Sequence, residues 1–145
     1  MSVSVSIIVP CYNVAAYLDQ CMESLTGQSM KDIEIICVND GSSDCTAEIL
    51  REWRNRDRRV RIIDQKNSGV SAARNSGMAA AAGTYIGFVD PDDMVERNMF
   101  QRLVTAAAEK EADVAVCGYH EFCDCGDMDM PESGWSPSAG FFPEE

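Results

Sequence analysis

Apolar residues fall along this chain in two alternating kinds of run. Residues 3–9, 33–38, 60–63, 85–89 and 114–117 are short stretches rich in β-branched side chains. Nearly unbroken runs of that length are what strands covered on both faces require. Between them the apolar positions recur at helical spacing. Val14, Tyr17, Leu18, Cys21, Met22 and Leu25 mark one buried face, with Asn13 as N-cap and Gly27 as stop signal. Asp44 is placed to cap a second helix carrying Ala47, Ile49, Leu50 and Trp53. Residues 70–82 read as a helix of small residues halted by Gly83, and Met99, Phe100, Leu103, Val104, Ala107 and Ala108 mark a fourth. The β-α-β-α-β-α-β-α-β order predicts an α/β fold, a mostly parallel sheet with helices on both faces. Ligands of such sheets bind beyond the carboxyl ends of the strands. The polar residues gather there: Tyr12 and Asn13, Asn39 and Asp40, and the run from Asp90 to Asp93.

The 145 residues amount to about one domain. Residues 1–118 carry the α/β pattern. Residues 119–145 are acidic, contain Pro131, Pro137 and Pro143, and show little period. Hydrophobic residues make up 46% and charged residues 25%, the balance of a globular chain. No stretch approaches the ~18 apolar residues of a membrane span, and the first residues lack the basic region and cleavage site of a signal peptide. Both point to a cytoplasmic protein. A net charge of −12 has the wrong sign for a nucleic-acid partner. Six arginines between Arg51 and Arg61 run against that trend. They suit an anionic surface or, more simply, a solvated helix end in which they alternate with Glu52 and Asp57.

Asp90, Asp92 and Asp93 are the first candidates for chemistry. Three carboxylates within four residues repel one another, and a hard divalent ion such as Mg2+ or Mn2+ relieves that repulsion. The plainer alternative is a solvated acidic turn, with Asp93 capping the next helix. Asp40 follows the second strand, where a carboxylate can accept hydrogen bonds from a base or ribose, or from its own turn. Tyr12, after Pro10, offers a ring to stack on a base, or is simply half-buried. Arg74 lies in a small-residue helix that permits close backbone approach, and its guanidinium suits phosphate or carbonyl oxygens. Of the seven cysteines, Cys11, Cys21, Cys37 and Cys117 sit in apolar runs and read as small buried hydrophobes. Cys117, His120, Cys123 and Cys125 together offer a soft zinc set, although their spacing is not that of a standard finger. The chain has no P-loop, no dinucleotide-binding glycine motif and no G-x-S-x-G, so those chemistries are disfavoured.

Four blocks, in order, resemble glycosyltransferase family 2. They are Ser6-Ile7-Ile8-Val9-Pro10-Cys11-Tyr12-Asn13; Val38-Asn39-Asp40-Gly41-Ser42-Ser43-Asp44 with Thr46; Asn67-Ser68-Gly69-Val70-Ser71-Ala72-Ala73-Arg74-Asn75-Ser76-Gly77; and the stretch from Gly83 to Asp93. The last resembles the family's D-x-D block, in which a serine is more usual than Pro91. The resemblance implies the GT-A fold, of nucleotide-diphospho-sugar transferase, Rossmann-like type. It also implies a nucleotide-diphospho-sugar donor, first of all a UDP-sugar, and inverting transfer to a saccharide or lipid-linked acceptor.

By the same resemblance, Pro10, Tyr12, Asn13, Asp40, Asn67, Gly69, Arg74, Asp90 and Asp92 bind the nucleotide sugar. Asp92, Asp93 and Asp90 hold Mn2+ or Mg2+, which neutralises charge on the departing diphosphate. Bacterial relatives of this kind serve envelope or exopolysaccharide synthesis. A place at the inner face of the membrane, peripheral attachment to it and a homodimer are each compatible with the resemblance. The acceptor-binding half and the catalytic base have no clear equivalent after Cys117, where Glu121, Asp124, Asp127 and Asp129 are undistinguished carboxylates. Residues 1–118 are therefore expected to be the donor-binding part of a longer enzyme, poor at transfer alone. A non-catalytic nucleotide-sugar-binding or regulatory module is the alternative. A receiver-like phosphoacceptor domain fits less well, since it needs an acidic pair after the first strand and a lysine after the fifth.

Overall fold

A computed structural model describes residues 3–120. Four parallel strands and four helices alternate: β1 (Val5–Cys11), α1 (Ala15–Thr26), β2 (Ile33–Asp40), α2 (Thr46–Arg56), β3 (Val60–Gln65), α3 (Val70–Ala80), β4 (Tyr85–Phe88) and α4 (Met99–Lys110). The strands stand in the order β3-β2-β1-β4. β1 and β2 are central and buried along their whole length, which is why both read as unbroken apolar runs.

Alternation along the strands sorts their side chains between two layers. Val5, Ile7, Val9 and Cys11 of β1 join Ile33, Ile35 and Cys37 of β2 in one core, under Leu18, Met22 and Leu25 of α1, Leu50 of α2 and Phe100 of α4. On the opposite face Ile36 and Val38 pack with Ala73 of α3. α3 lies close because Gly77 has no side chain: a Cβ there would sit 2.5 Å from Ile8 Cγ2. Helices thus cover both faces, as the pattern predicts.

The strands outrun their apolar cores. β1 continues through Pro10 to Cys11, and β2 and β3 end on Asp40 and Gln65, which are partners in the parallel ladder. Asn39 and Asp40 are therefore strand residues rather than turn residues.

Two expectations need correcting. Residues 114–117 form no strand: Val114 and Val116 are 76% and 80% exposed, and the described sheet has four strands. An apolar, β-branched run becomes a strand only beside a neighbour that takes its backbone hydrogen bonds. Cys117 is accordingly exposed, not buried, and so is Cys45; Cys11, Cys21 and Cys37 are buried as expected. Glu121, Asp124, Asp127 and Asp129, with Cys123 and Cys125 of the zinc set and most of the 119–145 tail, lie outside the described residues. The arginine cluster is largely engaged within the domain: Arg51 with Glu48, Arg56 with Glu52, Arg59 with Asp57 and Arg61 with Glu34. Among the described residues no helix is long and apolar enough to cross a membrane.

Candidate functional site

The carboxyl ends of β1 and β2 open into a cleft of about 330 Å³. Five of the residues singled out in the sequence line it: Pro10, Tyr12, Asp40, Asn67 and Gly69. Cys11, Val14, Val70 and Ala73 complete the wall. The sequence reading missed these four, although Val70 and Ala73 stand three apart on one helix, the spacing of a shared face. Tyr12 is 51% exposed, so its ring is available at the mouth.

Asp40 is only 3% exposed. Its Oδ1 accepts from Gln65 Nε2 at 2.8 Å and from the Ser68 amide at 2.9 Å, while Oδ2 accepts from the Gly69 amide at 2.9 Å. Burial pushes the Asp40 carboxyl up, but the Gln65 side chain and the two amides outweigh it and hold the group below its ordinary value. The loop that supplies these amides comes close because Gly41 and Gly69 take positive φ, +71° and +89°. A Cβ on Gly41 would lie 2.8 Å from the Asn67 nitrogen, so a larger residue at either position is strained.

Asn13 does not cap α1. The cap position is Val14, and Asn13 takes the left-handed conformation at φ 51°. Asparagine suits that region as well as it suits a cap, and the sequence pattern alone does not separate the two. Its Oδ1 accepts from the Ser43 amide at 2.8 Å, and its own amide donates to Ser42 Oγ at 3.1 Å. The start of α1 is capped from the start of α2 and the loop before it: the Val14 amide donates to Thr46 Oγ1 and the Ala15 amide to Asp44 Oδ2. Asp44 also accepts from the Thr46 amide at 3.0 Å, so one carboxylate serves the start of both helices. Hydrogen bonds from Thr46, and then from Ala15, hold its carboxyl below the ordinary value.

One residue past Ala73 on α3, Arg74 Nη2 donates to Asp90 Oδ1 at 2.8 Å, and the pair is partly exposed. Arg74 Nε is buried with no partner among the described residues. Asp92 and Asp93 follow in an exposed turn closed by the Asp93 amide on the Asp90 carbonyl at 3.0 Å. Partial burial, with the charges of Asp92 and Asp90, raises the Asp93 carboxyl above its ordinary value. The same acidic run, after burial and Cys11, helps push the Cys21 thiol up to about 12. Among the described residues no three His, Cys, Asp or Glu side chains form a group able to hold a metal ion by themselves. Asp90, Asp92 and Asp93 supply only carboxylate oxygens, the donor type of a hard cation, with Asp90 already paired to Arg74.

The chain has known relatives. It is 51% identical over 117 residues to the uncharacterised glycosyltransferase EpsJ of Bacillus subtilis, a match covering 81% of this chain and 34% of EpsJ. The chain thus spans about a third of that relative's length. S. aureus TarS residues 1–349, in a crystal structure with UDP, superposes with a TM-score of 0.70 at 28% identity, covering 74% of this chain and 33% of that one. The mannosyltransferase PcManGT of Pyrobaculum calidifontis, solved with GDP-Man and Mn2+, gives 0.69 at 22% identity, over 74% and 33% of the two chains, which bears on the fold alone. These neighbours place the α/β domain in the GT-A class. The model of the family described as "Glycosyl transferase family 2" matches residues 6–143, and the chain belongs to that family.

Proposed function

We propose that this chain is the donor-binding portion of a metal-dependent glycosyltransferase, with the nucleoside of a nucleotide-diphospho-sugar seated in the cleft between Tyr12 and Asp40. The observation that carries the reading is the buried, hydrogen-bonded carboxylate of Asp40 in the same cleft wall as the exposed ring of Tyr12. Held in its charged form, Asp40 accepts an N–H or O–H from the base or ribose, while the Tyr12 ring covers the base face. Arg74, next in sequence to the lining residue Ala73, keeps a buried spare donor and is paired with Asp90; the two are assigned to the ribose and diphosphate. TarS, at 28% identity, is described with UDP and with UDP-GlcNAc, which favours a uridine diphosphosugar here.

Asp92 and Asp93, with Asp90, are the residues to hold Mn2+ or Mg2+. When bound, such an ion neutralises charge on the departing nucleoside diphosphate. The family resemblance implies inverting attack by an acceptor hydroxyl on the anomeric carbon as the bond to the diphosphate breaks. The acceptor site and the base that takes the hydroxyl proton belong to the longer protein under this reading, as does a role in polysaccharide synthesis.

Calorimetric titration of the 145-residue chain with UDP, with and without Mn2+, tests the proposal. Binding strengthened by Mn2+ and lost in a folded Asp92→Asn variant is the expected result. Affinity indifferent to both would overturn the metal assignment. Transfer measured for this chain and for a longer parent then separates an enzyme's donor half from a binding module that lacks chemistry.

A further inference from the structure

We infer that Gln65, held by Ser76, is the positioning residue for Asp40, and that this relay aims the carboxylate's one free acceptor site into the cleft. The inference rests on the donor-site reading for its ligand, but its geometry stands apart from it. Asp40 and Gln65 are direct partners across the ladder between β2 and β3. Both continue the α3-facing rows of their strands, after Val38 and Ile63. Gln65 Nε2 donates to Asp40 Oδ1 at 2.8 Å, and Gln65 Oε1 accepts from the Ser76 hydroxyl of α3 at 2.6 Å.

The carboxylate, an acceptor only, fixes the sense of the amide. Were the amide turned over, its carbonyl oxygen would face a carboxylate oxygen, and two acceptors would be in contact. With the amide so turned, the Ser76 hydroxyl donates to its Oε1 and anchors Gln65 in place. The Ser68 amide shares Oδ1 and the Gly69 amide takes Oδ2. A carboxylate has about four lone-pair sites, so with three filled one remains, on Oδ2. Asp40 lines the cleft, and that site is what a ligand meets. A ligand group must then bring a single N–H or O–H to it. All three resident donors are neutral, so Asp40 keeps its full charge, and their bonds hold its carboxyl low.

The test uses the 145-residue chain with two readouts: the Asp40 carboxyl titration by carbon NMR without ligand, and UDP affinity by calorimetry with Mn2+. Gln65→Met keeps the length of the side chain and removes the donor. It is expected to raise the Asp40 titration midpoint, since a bond favouring the charged form is gone, and to weaken UDP about tenfold. Ser76→Ala should move both readouts less, and Ser76→Thr should restore them, which a merely structural role for Gln65 does not predict. Ser76→Ala carries the test if Gln65→Met does not fold. An unmoved Asp40 titration in these variants overturns the relay. A moved titration with unchanged UDP affinity overturns its positioning role. A wild-type chain that binds no UDP refutes the donor-site reading instead, and the titration alone then decides the relay.

Discussion

Glu34, on the α3-facing side of β2, is 6% exposed and hydrogen-bonded at both oxygens. Its Oε1 accepts from the Ser6 hydroxyl and the Ala82 amide at 2.6 and 2.7 Å, and its Oε2 from Arg61 Nη1 at 2.6 Å. Burial raises its carboxyl, but Ser6, Ala82 and Arg61 together bring it below the ordinary value, the same balance seen at Asp40. A carboxyl lower in the folded than in the unfolded chain adds stability that is complete above the unfolded value, near pH ~4. That stability drains away as pH falls through the lower folded value. The urea midpoint should accordingly hold level from neutral pH to mildly acidic and fall below about pH 4. Glu34→Gln should cost about 2 kcal/mol at pH 7 and make the acid fall shallower; a fall of unchanged depth would remove Glu34 from the account. The sequence made Asp40 legible as a site residue because it sits at a strand end before a glycine turn. Neither the hold on it nor that on Glu34 was legible, since Gln65 and Arg61 come from another strand and only the register brings them within reach.

Helices and strands were legible wherever their signal is internal to the element. All four helices lie where spacing placed them, and the small-residue composition of α3 does mean close approach. Gly77→Ala would drive a methyl into Ile8 Cγ2 and lift the helix from the sheet, at a cost of about 1–3 kcal/mol. Thermal melts should show that loss, and combined with Ile8→Ala it should be smaller than the sum of the two single changes. Additive losses would mean that α3 and β1 are not in contact there. Residues 114–117 misled for the opposite reason. Strand formation depends on a neighbour, and composition says nothing about whether one is present. The joint between Asn13 and the loop after β2 was hidden likewise: Asn13 and Asp44 each read as the cap of its own helix, whereas Asn13 does not cap α1 and Asp44 serves α1 as well as α2.

At the scale of the whole molecule, both edges of the described sheet, β3 and β4, pair on one side only. β4 pairs with β1 on one side and, among the described residues, with nothing on the other. Ile86 and Phe88 on this strand are 44% and 48% exposed. A free edge with apolar side chains is a template for association, and this chain spans about a third of EpsJ. The isolated chain should therefore self-associate with rising concentration in sedimentation velocity, and Phe88→Lys should suppress it. Monomeric behaviour at all concentrations would show that β4 is not exposed in solution. The strand order has a further consequence for how such a chain is made. Val5 pairs with Tyr85 as well as with Ile33, so β1, synthesised first, must wait about eighty residues for its second neighbour. While the nascent polypeptide lengthens, its innermost strand keeps one flank bare, and pairings this distant along the chain form slowly. The strand left waiting in this way is one that ends fully buried.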